Sequence, residues 1–148
     1  MQTVYNLQNI SNRFGVIIDR NEMNKVCLVI HSLGIGGMER VMAQLATNFS
    51  EKKGKQVDII LIGKKREVVF SLPSNVRIHR PPFQFKNSRR MADTLRTIFF
   101  LRNKVKDVDP DVVLSFGEYW NNLVLMSLYG LSYPVFISDR STPGKDLG

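Results

Sequence analysis

The feature that most constrains this chain is Val26-Cys27-Leu28-Val29-Ile30, five consecutive apolar residues, most of them β-branched. A strand with one wet face alternates apolar and polar residues. An unbroken run suits a strand covered on both faces, as in parallel sheets. The glycine loop Gly34-Ile35-Gly36-Gly37 follows, and then Val41, Met42, Leu45 and Phe49 recur at helical spacing. Lys52 and Lys53 complement the negative end of that helix, and Gly54 supplies a stop. Residues 57–62 read as the second strand. The order strand, glycine turn, helix, strand is a βαβ unit.

The alternation continues. Residues 76–79 read as a short strand ended by Pro81-Pro82, and residues 88–107 as a basic helix broken by Asp109-Pro110. Residues 112–116 read as a buried strand, 118–129 as a helix ended by Gly130, and 135–138 as a further strand after Pro134. Pro143 and Gly144 open a loop. Strands alternating with helices predict an α/β fold, a parallel sheet with helices on both faces. Residues 1–24 carry no clean period beyond a weak strand at 16–18, and read as a loosely ordered N-terminal extension to one domain spanning 25–148.

Composition narrows the function. A length of 148 residues suits one core. The single cysteine, Cys27, excludes a disulfide framework and a cysteine-rich zinc site, and fits a reducing cytoplasm. His31 and His79 have no matching ligand set, so no metal is expected. Residues 1–24 lack the apolar core of a secretory leader, and no stretch approaches the ~20 apolar residues of a membrane span. The net charge of +8 favours anionic partners, and residues 80–107 hold eight basic side chains against two acidic ones. No nucleic-acid recognition motif accompanies that charge.

The glycines permit two readings. They let a ligand approach the main chain at a helix N-terminus, where free N–H groups attract phosphate, or they only make the turn. A dinucleotide site fits poorly. Glu39 stands where G-x-G-x-x-G/A needs a small residue, and the second strand runs out as Leu61-Ile62-Gly63-Lys64-Lys65 without the acid that would hold ribose hydroxyls. A phosphate loop of the Walker type fails because no Lys-Ser or Lys-Thr follows.

Residues 25–46, from Lys25 through Gly36-Gly37-Met38-Glu39-Arg40 to Leu45-Ala46, resemble the opening of the family 4 glycosyltransferases. Asp109-Pro-Asp-Val-Val-Leu-Ser115 is similar to the family's D-P-D-V-V strand, and Ile137-Ser-Asp-Arg-Ser-Thr-Pro143 to the segment after the next strand. The resemblance covers roughly residue 25 to the end. It implies a retaining enzyme of the GT-B fold, built from two Rossmann-like domains. This chain then corresponds to an incomplete N-terminal, acceptor-binding domain, inactive without the donor-binding domain that carries Glu-x7-Glu. The substrates implied are a nucleotide-sugar donor and a sugar or lipid-linked acceptor, with no other cofactor. The setting implied is surface polysaccharide or glycolipid synthesis in the cytoplasm, peripheral to the inner membrane face.

Site residues follow from that resemblance. The N–H groups of Gly36 and Gly37 would face the departing diphosphate, whose charge needs oriented donors. Glu39 and Arg40 come next on the acceptor side, although an acid in a first helical turn is favoured in any case. Glu118 is suited to a sugar hydroxyl or to capping a helix, and Trp120 to stacking on a sugar or to filling the core. Asp139 sits nearest the position that faces the reacting sugar, where other members carry His. Arg140 and Ser141 follow it, Arg140 being fit to hold an acceptor phosphate.

On the basic helix, Met91, Leu95, Ile98 and Val105 form an apolar stripe at 100° per residue, with Arg89, Arg96 and Lys104 opposite and Phe100 among them on the wet face. A basic face with a protruding aromatic suits an anionic membrane surface, and equally a solvated charged face. The competing functional class is a non-catalytic α/β module that binds a phosphorylated ligand or an anionic surface.

Overall fold

The computed structural model describes residues 23–138, the side chain of Glu118 excepted. The expected extension, apart from Met23 and Asn24, and the segment from Asp139 onward lie outside the described residues. Five parallel strands form one sheet in the order β3-β2-β1-β4-β5. They are β1 (Lys25–Ile30), β2 (Gln56–Leu61), β3 (Val76–His79), β4 (Val112–Phe116) and β5 (Val135–Ser138). Three helices cover it: α1 (Gly37–Thr47), α2 (Arg90–Val108) and α3 (Glu118–Leu128). The expected Rossmann-like class is the observed one.

Strand alternation explains the layers. Val26, Leu28 and Ile30 of β1 pack with Val57, Ile59 and Leu61 of β2 against Met42 and Ala46 of α1. Cys27 and Val29 point the other way, with Ile60 and Val113, against Leu101 and Val105 of α2 and Val124 and Leu128 of α3. Each fully buried aliphatic side chain contributes about 1.5–3 kcal/mol. Burial on both faces of β1 stabilises the sheet, and it pushes the Cys27 thiol well above its ordinary pKa.

The D-P-D segment has a structural task at the opposite end of the sheet. Asp109 ends α2 in the left-handed conformation, its N–H bonded to the Val105 carbonyl. Asp111 Oδ2 accepts the N–H groups of Asn24 (2.7 Å) and Lys25 (2.8 Å), fixing the entry of β1. Met23 packs against the core.

The structure corrects the phase of the basic helix. Its buried line is Asp93, Thr97, Leu101, Val105 and Val108. Met91 is 83% exposed and Leu95 53% exposed, so the predicted stripe holds only at its C-terminal end. Phe100 is partly buried against the core, and Phe99, 62% exposed, is the phenylalanine that faces water. The reason is that two buried positions are polar and satisfied. Asp93 Oδ2 accepts the Lys86 N–H at 2.8 Å, and Thr97 Oγ1 donates to the Asp93 carbonyl at 2.7 Å. A count of apolar residues misses such positions. Of the predicted cations, Arg89 is exposed, Arg96 pairs with Asp93 at 3.5 Å, and Lys104 pairs with Asp107 at 3.4 Å.

The edge strand β3 is held by a buried carboxylate. Asp58 of β2 accepts from Arg77 Nη2 (2.8 Å), His79 Nε2 (2.6 Å) and Gln56 Nε2 (3.2 Å). Burial raises the pKa of this carboxyl, but the three hydrogen bonds together outweigh burial and hold it below the ordinary carboxylate value. The unfolded state therefore binds the proton first as pH falls, and the native state loses this stabilisation between the ordinary value of about 3.9 and the lower native one. Urea denaturation from pH 6 to pH 2 should show stability falling across that window. Asp58→Asn should flatten the slope and cost about 1–3 kcal/mol at pH 7. An unchanged slope would remove Asp58 as its source.

Candidate functional site

The candidate site lies at the C-terminal rim of β1, β2 and β4. The chain runs from β1 outward to β2 and β3, then crosses back to β4 on the other side of β1. Between β1 and β4 the connections diverge and leave a crevice, the place where open α/β sheets bind ligands.

His31 follows β1 directly. On one side, the Gly63 N–H donates to the His31 carbonyl at 2.8 Å. A Cβ on Gly63 would lie 2.4 Å from that oxygen, so only glycine lets the end of β2 come this close and brings Lys64 and Lys65 beside His31. Arg66 then staples the loop. Its Nε donates to the Gly63 carbonyl at 2.7 Å and its Nη1 to the carbonyls of Pro81 (3.2 Å) and Phe83 (2.5 Å). Lys64 Nζ donates to Asn87 Oδ1 at 2.6 Å and stands 5.0 Å from the Phe85 ring centroid.

On the other side, β4 leads through Gly117, at φ +115, into α3. Ser115 Oγ donates to Asn121 Oδ1 at 2.8 Å, and Asn121 Nδ2 donates to the Ser138 carbonyl at 3.2 Å. This buried network ties β4, α3 and β5 together and sets the direction of Trp120. The Trp120 ring stacks on His31, with 6.2 Å between centroids and planes 10° apart, and meets Tyr119 edge-on at 5.3 Å. Arg90 Nη2 donates to the Tyr119 hydroxyl at 3.0 Å.

These groups line a cavity of about 440 Å³ whose wall includes His31, Lys64, Lys65, Arg90, Tyr119 and Trp120. No carboxylate side chain lines it among the described residues. His31 Nδ1 is buried there without a hydrogen-bond partner among the described residues.

Glu39 occupies the mouth of the glycine loop. Its Oε1 lies 3.1 Å from His31 Nε2. A Cβ on Gly36 would lie 2.1 Å from its Oε2, so the carboxylate rests on the bare glycine. Gly37 has nothing within 4 Å of the corresponding position, so its face of the helix mouth is open. The two glycines thus differ: Gly36 accommodates a side chain of this protein, and Gly37 leaves an approach from outside.

Of the residues read from the sequence, the rim brings together Gly36, Gly37, Glu39 and Trp120. Trp120 packs on the core, as one of its two anticipated roles had it, and it also lines the cavity. Glu118 begins α3 at the same rim. Asp139, Arg140 and Ser141 lie outside the described residues. Arg40 is not at the cavity; it lines a separate groove of about 640 Å³ along α1, with Gln44, Lys52 and Phe70. The sequence reading missed His31, Lys64, Lys65, Arg90 and Tyr119 as site residues. The signal for the first three was present, because residues that end neighbouring parallel strands share one edge.

No family model matches the chain. In sequence it is 29% identical over 121 residues to the GalNAc-alpha-(1->4)-GalNAc-alpha-(1->3)-diNAcBac-PP-undecaprenol alpha-1,4-N-acetyl-D-galactosaminyltransferase of Campylobacter jejuni, covering 80% of this chain and 33% of that protein. In fold it is similar to the apo form of the lipopolysaccharide outer core galactosyltransferase WaaB, with TM-score 0.63 and 14% identity over 78% of this chain and 33% of that one. It is also similar to apo UGT2 of Phytolacca americana, with TM-score 0.60 and 12% identity over 80% of this chain and 29% of that one. The chain thus resembles a glycosyltransferase in sequence, shares the Rossmann-like fold of these structures, and spans about a third of the length of each protein.

Gly36→Ala should keep the fold, because Glu39 can swing away, but should separate Glu39 from His31. The imidazole resonances of His31 should then shift as they do in Glu39→Gln, while Gly37→Ala leaves them in place. Unchanged His31 resonances in Gly36→Ala would refute the seating of Glu39 on the glycine.

Proposed function

We propose that this chain is the acceptor-side domain of a retaining, family 4-like glycosyltransferase of the GT-B fold, working in surface polysaccharide or glycolipid synthesis. The observation that carries this reading is the rim at the switch point, where a cavity lined by an indole and an imidazole lies beside the glycine loop that seats Glu39 and leaves Gly37 open. Trp120 offers a flat apolar face to a sugar ring. Glu39, held by His31, offers an acceptor to a hydroxyl. The Gly37 N–H, at a helix N-terminus, is placed for negative charge that develops on a departing diphosphate. The nucleotide-sugar donor would be held by a second domain, corresponding to the remaining two thirds of the Campylobacter protein. The sequence similarity to an enzyme whose name specifies an undecaprenol diphosphate glycan supports a lipid-linked acceptor.

A peripheral position at the inner membrane face fits the corrected phase of α2. No helix among the described residues is long and apolar enough to cross a membrane. Met91, Leu95 and Phe99 recur every fourth residue on the exposed side of α2, interspersed with the exposed Arg96 and Lys106. Apolar groups among cations suit an anionic lipid surface.

Two experiments test this reading. A chimera in which this chain replaces the matching third of the Campylobacter enzyme should transfer sugar to a lipid-linked acceptor, and Gly37→Val should lower its kcat about 10²-fold. A folded chimera without transfer would favour the non-catalytic binding module. Vesicles rich in anionic lipid should bind the chain in a salt-sensitive way. Phe99→Ala should weaken that binding several-fold, whereas Phe100→Ala should lower thermal stability. Equal vesicle affinity for Phe99→Ala and the parent chain would remove the membrane contact through α2.

A further inference from the structure

The geometry points to a diphosphate subsite in the cavity itself, formed by Lys64, Lys65 and Arg90 and separate from the glycine loop. The inference deepens the proposed function by naming the anionic group that the acceptor-side cavity recognises. Three cations from two elements converge on one space, with no carboxylate in its lining among the described residues. Lys64 and Lys65 follow β2, near the place where a dinucleotide fold presents an acid to ribose hydroxyls. Lysines at that place reverse the preference, from a diol to an anion. Arg90 comes from the first residue of α2, across the cavity from the lysine loop. Its contact with the Tyr119 hydroxyl leaves the remaining guanidinium N–H groups able to donate.

Several features indicate a built site in place of a chance cluster of surface lysines. The lysine loop is fixed from behind by Arg66, through three carbonyls of Gly63, Pro81 and Phe83. Lys64 is oriented by Asn87 and Phe85. Phe85, Tyr119 and Trp120 supply apolar walls beside the cations, the combination that a sugar carrying a phosphate requires.

A diphosphate can belong to a lipid-linked acceptor or to a nucleotide, and a binding experiment distinguishes them. Trp120 is the only tryptophan of the chain and lines the cavity, so its fluorescence reports this site. Inorganic pyrophosphate should change the emission saturably, with an affinity that falls as salt rises. The double variant Lys64→Ala/Lys65→Ala, and separately Arg90→Ala, should weaken binding about tenfold or more, while Arg40→Ala, at the separate groove, should leave it unchanged. A soluble sugar diphosphate on a short prenyl chain that binds more tightly than pyrophosphate assigns the subsite to the acceptor. UDP binding more tightly assigns it to the donor. No saturable change with pyrophosphate, or equal affinity in parent, double variant and Arg90→Ala, overturns the subsite. The readout needs no sugar transfer, so pyrophosphate binding alongside an inactive chimera would refute the proposed function and leave the subsite standing.

Discussion

The position of β1 between β2 and β4 is the constraint on which the rest depends. Both of its neighbours are parallel to it, and both of its faces are buried. The ends of three adjacent strands are therefore level, and whatever follows them meets at one rim. His31 follows β1, Lys64 and Lys65 follow β2, and Trp120 follows β4. Chain reversal at β1 opens the crevice, and the residues beyond the strands fill it. A one-residue slip of β1 would exchange Leu28 for Cys27 or Val29 on each face and turn His31 away from Trp120. The hydrophobic pattern therefore specifies the site as well as the core.

Charge is divided between the two ends of the sheet and between fold and surface. Several of the acids are spent internally. Asp58 holds β3, Asp93 receives the Lys86 N–H before α2, and Asp111 receives the start of β1. Asp58 and Asp93 are buried, and their hydrogen bonds offset the cost of that burial, whereas Asp111 holds the entry of β1 at the surface. Glu39, at the rim, is held by His31. Cations, by contrast, stand at the cavity and along the outer side of α2. The positive excess is set by composition, and the fold places cations at the rim, where they favour anions.

The strands and helices were legible because each is an apolar run or a helical period ended by glycine or proline, and β3, β4 and β5 lie where the sequence placed them. Gly36, Gly37, Glu39 and Trp120 were legible as neighbours on one rim because they follow strands. The phase of α2 was not legible, because Asp93 and Thr97 are polar residues buried through hydrogen bonds that hydropathy does not register. Nor was the pairing of His31 with Glu39 and Trp120, since the contact with Trp120 joins elements almost ninety residues apart in sequence. Arg40 misled for a simpler reason. It adjoins Glu39 in the motif, but one helical step carries it to a different side of α1.

Mapping backbone amide shifts by NMR during titration with a soluble lipid-linked sugar diphosphate tests the central claim most directly, because every residue reports at once. The account predicts that the shifted amides cluster at His31 to Gly37, Gly63 to Lys65 and Gly117 to Leu123. Shifts confined to the opposite end of the sheet, around Asn24, Gln56 and Asp111, or to the groove along α1, would contradict it.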